Sequence, residues 1–200
     1  MTTANKITIS RVPLLLLVAA LVYYPGPKWL AFVNGLLIIA LVLLDWFDGF
    51  YARTNGQVTR LGGILDIAVD RVVENTLWLV FACKGEVAFW IPVIFIIRSF
   101  LVDGVRGFAL SKGKTAFGMM ASPWGKFLVA GRFMRGLYGF AKAAAFVALA
   151  IRPTEGIFGL IPEPAVGFIT SFLVYLAPVL CIARGIPVIM ESRDLLKDAS

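Results

Sequence analysis

Six long apolar stretches run through the chain, separated by short polar or turn-forming segments. They cover 10–24, 29–47, 63–83, 87–104, 128–150 and 165–183. Each is near the roughly 20 residues that an α-helix needs to cross a bilayer. The pattern predicts an all-α, polytopic membrane protein with six transmembrane helices in one domain, 1–200. Pro25-Gly26-Pro27, Lys84-Gly85-Glu86 and the segment from Pro153 to Pro164 read as outer turns. Thr54-Asn55-Gly56-Gln57 reads as an inner turn, and Ser111 to Trp124 as the longest inner connection. The first stretch has the length of a signal peptide. No small-residue cleavage site follows it, only Tyr23-Tyr24-Pro25-Gly26-Pro27, so it reads as a span. Glu191 to Ser200 is a charged tail. No internal repeat is visible, which counts against a transporter built from inverted halves.

Composition supports the membrane reading. Hydrophobic residues make up 60% of the 200, and the mean hydropathy is +0.87, too apolar for an ordinary soluble domain. Charge then sets an orientation. Of the nineteen Lys and Arg, Lys142 falls within a span, and Lys28, Lys84 and Arg152 fall on one side. The other fifteen lie on or near the opposite side, which should be cytoplasmic. Both termini and the inner turns are expected there, as in a bacterial inner membrane. The net charge of +7 reads as contact with anionic lipid headgroups and not with nucleic acid, since the basic residues interrupt apolar spans.

Against this background, four carboxylates stand out: Asp45, Asp48, Asp66 and Asp70. Ionised carboxylates at membrane depth need a partner to offset desolvation, and four of one sign cannot neutralise one another. The natural partner is a hard divalent cation that prefers oxygen ligands, Mg2+ or Mn2+. Asp45 and Asp48 are three apart, and Asp66 and Asp70 four apart, so on helices each pair shares a face. Two such faces would build a site for two ions about 3.5–4 Å apart, the usual arrangement in phosphoryl chemistry. Gly49, Gly62 and Gly63 leave room for a close ligand. The plainer alternative is a solvated acidic surface paired with Arg53 and Arg60. Glu74 is either a neighbour of the ligand set or a partner for Arg71 or Arg98. The chain has no histidine, so acid–base work would fall to carboxylate, Lys, Tyr or water. Cys83 and Cys181 sit in no metal-ligand spacing and read as small buried hydrophobes.

The string Asp45-x2-Asp48-Gly49-x2-Ala52-Arg53-x8-Gly62-x3-Asp66-x3-Asp70 resembles the signature of the CDP-alcohol phosphotransferase family, matching at all eight fixed positions. The resemblance implies a transferase in which an alcohol attacks a CDP-linked donor and CMP leaves. By that resemblance Asp45, Asp48 and Asp66 would hold the metals, and Asp70 would be a further ligand or the catalytic base. Gly49, Ala52, Arg53 and Gly62 would contact the nucleotide. CDP-diacylglycerol is the implied donor, with its headgroup in a cytoplasmic-side cavity, and a homodimer is the implied assembly.

The acceptor is read from a second group of cations. Arg98, Arg106, Lys126, Arg132 and Arg135 would suit a phosphorylated alcohol if aimed at one inner cavity. As interfacial anchors they would need no ligand. Asn5-x2-Thr8-x2-Arg11, the run Arg98 to Arg106 and Trp124-Gly125-Lys126 resemble bacterial phosphatidylglycerophosphate synthases. That branch usually follows its Gly-Lys with a Lys-Thr pair and later a Gln, where this chain has Leu128, Val129 and Arg132. Glycerol 3-phosphate is the first choice of acceptor and inositol 1-phosphate the second. A cation carrier would extend its polar path through the membrane, and a non-catalytic lipid-nucleotide binder would bind donor without releasing CMP.

Overall fold

The structure is a computed structural model. It describes residues 2–24, 26–56, 59–111, 122–152 and 163–192, with only the backbone of Arg60, Ser111 and Glu163. Among the described residues every regular element is helical: α1 (Thr3–Tyr23), α2 (Lys28–Thr54), α3 (Arg60–Cys83), α4 (Trp90–Ser111), the one-turn α5 (Pro123–Gly125), α6 (Arg132–Ile151) and α7 (Glu163–Glu191). A π-helical turn, Lys126–Ala130, joins α5 to α6. Most of the expected inner connection and last outer loop, and the charged tail beyond Ser192, lie outside the described residues.

The chain is all-α, as the hydropathy pattern predicts. Each of the six apolar stretches falls on one long helix. Four of these, α1, α2, α6 and α7, are long and apolar enough to cross a membrane. Asp66, Asp70, Arg71 and Glu74 keep α3 out of that class, and Arg98, Asp103 and Arg106 keep α4 out. The helices also outrun the apolar stretches. α2 continues past its expected end at 47 to Thr54, and stops where Gly56 turns left-handed at φ 63°. Hydropathy marks where hydrocarbon ends, whereas backbone hydrogen bonding marks where the helix ends.

The chain divides into two compact units. The first comprises Met1–Phe89 and Ala143–Ser171. Within it α1 packs against both α2 and α3. Leu15, Val18, Ile38, Leu41, Leu77 and Trp78 are fully buried, each contributing about 1.5–3 kcal/mol of hydrophobic stabilisation. The Trp78 ring lies 4.7 Å from that of Phe146. Gly35 lets Ile151 approach, since a Cβ there would sit 2.6 Å from its Cγ2. Leu16, Leu17, Phe32, Leu36 and Leu43 point outward, as side chains facing lipid do.

The second unit comprises Trp90–Lys142 and Phe172–Ser200. Val102, Ala109, Val129 and Val188 form its sealed core, with Val105 and Leu128 packed against it. Arg184 is buried there and donates from Nη1 to the Met134 carbonyl at 2.9 Å and from Nη2 to that of Val129 at 3.4 Å. The Ser122 hydroxyl bonds to Oε1 of Glu191.

Candidate metal and nucleotide site

Three helices of the first unit meet at one acidic cluster. Asp45 and Asp48 are one turn apart near the C-terminal end of α2, and Asp66 lies in the second turn of α3. One carboxylate oxygen from each of the three lies within 4.8 Å of the other two. Asp48 is buried, at 3% exposure, and the others are half-buried. α3 is held in register at its start by Thr59, whose hydroxyl accepts the Gly62 N–H at 3.0 Å.

The third element is α1. Its residues Asn5, Thr8 and Arg11 recur at three-residue spacing, so they line one face, and all are buried. The Thr8 hydroxyl lies 2.7 Å from Oδ2 of Asp48 and 3.1 Å from the Ala4 carbonyl. Its single proton favours the shorter, charged partner. Arg11 donates from Nη1 to Oδ1 of Asp45 at 2.6 Å and from Nη2 to Oδ1 of Asp70 at 3.0 Å. Asp70 is not one of the three mutually clustered carboxylates, but it adjoins Asp45, and Arg11 bridges the two. Sequence reasoning assigned none of these three α1 residues a role at the site, although their polar spacing on an apolar helix carried the signal.

A cleft of about 270 Å³ opens beside the cluster. Asp48, Asp66, Gly49, Ala52, Arg53 and Gly62 line it, so the four nucleotide candidates and two of the aspartates share one cavity. The guanidinium of Arg53 folds back over Gly49, where a Cβ would come within 3.1 Å of Nη1. Gly62 is pressed between Asn5 and Thr59, whose side-chain oxygens would lie 2.8 and 2.9 Å from a Cβ at that position. Glu74 is buried and pairs with Arg71 at 2.5 Å, which resolves its two sequence readings in favour of the ion pair.

The donor set suits a hard divalent cation. All three clustered ligands are carboxylate oxygens, with no nitrogen or sulfur among them. Arg11 and Arg53 together offset two of the four aspartate charges, so two negative charges remain for a cation to neutralise.

All five acceptor candidates belong to the second unit. Arg98 is buried, with its guanidinium 5.9 Å from the centroid of the Tyr138 ring. Its Nε and Nη1 have no hydrogen-bond partner among the described residues. Arg106 lies 3.9 Å from Asp103, one turn earlier on α4. Lys126, Arg132 and Arg135 are exposed.

Helices long and apolar enough to cross a membrane, and three clustered carboxylates beside a cleft, define the class: an integral membrane protein with an acidic site compatible with a metal ion. Residues 1–183 match the CDP-alcohol phosphatidyltransferase family, and the chain belongs to that family. It is similar to the CDP-diacylglycerol–glycerol-3-phosphate 3-phosphatidyltransferase of Mycoplasma pneumoniae, with 30% identity over 95 residues, 48% of this chain and 40% of that protein. The enzyme of the same name from Escherichia coli K12 is 30% identical over 97 residues, 47% of this chain and 53% of the relative. A putative cardiolipin synthase of Mycobacterium tuberculosis H37Rv is 34% identical over 119 residues, 58% of this chain and 54% of the relative. The chain thus spans about half the length, or less, of these curated relatives.

Proposed function

We propose that this chain moves the phosphatidyl group of CDP-diacylglycerol to an alcohol, with glycerol 3-phosphate the first choice of acceptor, and releases CMP. The observation that carries the reading is the convergence of Asp45, Asp48 and Asp66 on a cleft lined by Gly49, Ala52, Arg53 and Gly62, in a chain of this family. In the reaction, the acceptor oxygen bonds to the phosphatidyl phosphorus and the bond from that phosphorus to the CMP oxygen breaks. The acceptor proton passes to a base.

Each residue then has a task. Asp45, Asp48 and Asp66 would hold two divalent ions, and Asp70 is either a fourth ligand or the base. Bound there, Mg2+ or Mn2+ supplies positive charge against the pyrophosphate and the departing CMP. Charge balance favours two ions. The site retains two negative charges and the donor's pyrophosphate brings two more, which two divalent cations offset. Gly49, Ala52 and Gly62 keep the cleft wall low enough for the nucleotide, and Arg53 pairs with phosphate oxygen. Arg11 fixes Asp45 and Asp70 relative to each other, so the geometry is set before substrate arrives. Arg98, Arg106, Lys126, Arg132 and Arg135 are assigned to the acceptor phosphate.

The reading extends to a homodimer with six spans per chain, one catalytic domain over 1–200, and a cytoplasmic site with both termini on that side. The charge bias and the outward apolar faces support that arrangement. Inositol 1-phosphate is the alternative soluble acceptor. The match to putative cardiolipin synthases favours a second reading, in which the acceptor is itself a phospholipid alcohol. The test is CMP release by the purified full chain in detergent with Mg2+ and CDP-diacylglycerol, each acceptor offered in turn. If none elicits CMP while donor still binds, the transferase reading is wrong.

A further inference from the structure

A second cavity, of about 300 Å³, opens at the other end of the same helices. It is lined by the last turn of α1, the first two turns of α2 and the end of α3, including Leu21, Tyr24, Lys28, Asn34, Phe81 and Lys84. Asn34 and Asp48 both lie on α2, 14 residues apart, which at about 1.5 Å per residue separates the two cavities by about 21 Å. Asn34 is 4% exposed, and its Oδ1 has no hydrogen-bond partner among the described residues. A buried carboxamide oxygen left unpaired in an apolar helix is costly and calls for a donor from a ligand. Two exposed cations, Lys28 and Lys84, stand at the mouth. The third outer cation, Arg152, pairs at 3.1 Å with Glu86, which also lines the cavity. So the sparse positive charge of this end gathers at one place, with apolar walls from Leu21, Leu30 and Phe81 beneath it.

We propose that this cavity binds a polyol phosphate, a phosphate ester with a neighbouring free hydroxyl. Lys28 and Lys84 meet the phosphate, and the hydroxyl pairs with the Asn34 carboxamide. The group comes either as the headgroup of an anionic phospholipid or as a free sugar-alcohol phosphate. The site is separate from the aspartate cleft and does not rest on the transferase reading.

The test uses the full chain in detergent with EDTA, so that metal-dependent binding at the aspartates is removed. Dihexanoyl-phosphatidylglycerol and glycerol 3-phosphate are titrated separately, with dihexanoyl-phosphatidylcholine as a control of equal apolar content, and adducts are counted by native mass spectrometry. Both Lys28→Gln/Lys84→Gln and Asn34→Leu should weaken phosphatidylglycerol binding tenfold or more, and phosphatidylcholine should bind far less well. Binding of the lipid but not of glycerol 3-phosphate, lost in the lysine variant, assigns the cavity to a membrane lipid, whereas equal binding of both, with both weakened in the lysine variant, assigns it to the soluble phosphate. The double lysine variant changes only exposed residues, so it keeps the test open if Asn34→Leu folds poorly. Unchanged binding in the lysine variant, or equal binding of phosphatidylcholine, overturns the proposal.

Discussion

Nη1 of Arg11 donates to Oδ1 of Asp45 at 2.6 Å, across 34 positions of sequence. Its other terminal nitrogen holds Asp70 at 3.0 Å. The Arg11 side chain is 3% exposed, while those of Asp45 and Asp70 are 39% and 46% exposed. A fully buried pair broken on one side loses about 3–5 kcal/mol, and half-exposed partners reduce that to about 1–3 kcal/mol. Arg11→Gln should therefore lower the unfolding temperature by several degrees in EDTA. Millimolar MgCl2 should recover part of the loss, because a cation then offsets carboxylates that Arg11 no longer serves. Thermal unfolding in detergent, with and without metal, checks both halves of this expectation.

The cluster itself predicts a metal phenotype. Asp48→Asn or Asp66→Asn removes one of three converging negative charges while keeping the side-chain shape. Mn2+ binding, followed by electron paramagnetic resonance, should weaken at least tenfold. CMP release should fall about 10²–10³-fold, the scale for losing one preorganised electrostatic contact at a reacting centre. Chelation of the unaltered protein should abolish turnover, and Mg2+ should restore it. Wild-type Mn2+ affinity in both variants would remove the metal site from these residues.

Neighbouring glycines at the start of α3 should behave in opposite ways. A Cβ at Gly62 would press on Asn5 and on the Thr59 oxygen that caps the helix, whereas one at Gly63 meets nothing within 4 Å. Gly62→Ala should cost about 1 kcal/mol, the worth of a cap, and raise the KM for donor by narrowing the cleft. Gly63→Ala should be neutral or stabilise by up to about 0.5–1 kcal/mol through helix propensity. Melting temperatures of the two variants, side by side, decide it.

The aspartates were legible in sequence because local spacing encodes them. Asp45 with Asp48 needs only a helix to share a face, and the cost of carboxylates among apolar residues marks them out. Arg11 was not legible as their partner. It lies 34 residues from Asp45 and 59 from Asp70, so only the packing of α1 against α2 and α3 creates those ion pairs. The simple charge count left out one cation: a single buried guanidinium bridges two of the four carboxylates and offsets one of their charges. The six apolar stretches located six long helices, but α3 and α4 carry charged residues that remove them from the class of plainly apolar spans. Helix ends were missed for a related reason, since Asp48, Arg53 and Thr54 interrupt the apolar run while the backbone stays helical to Thr54.

Asp70 has two candidate roles, metal ligand and base, and one variant separates them. Its carboxylate adjoins that of Asp45, and it is half-exposed and anchored by Arg11 on one oxygen. A carboxylate held this way could ligate a cation beside Asp45 or accept the acceptor's proton, and the base role makes the sharper prediction. Asp70→Asn keeps an acceptor oxygen for Arg11 and removes the basic carboxylate. It should lower kcat by about 10²–10⁴-fold while leaving the KM for CDP-diacylglycerol and the affinity for Mn2+ little changed. Steady-state CMP release at varied donor, paired with Mn2+ titration, reads the two quantities apart. A large loss of Mn2+ affinity with the drop in kcat would instead make Asp70 a ligand, and the proton would then need another acceptor.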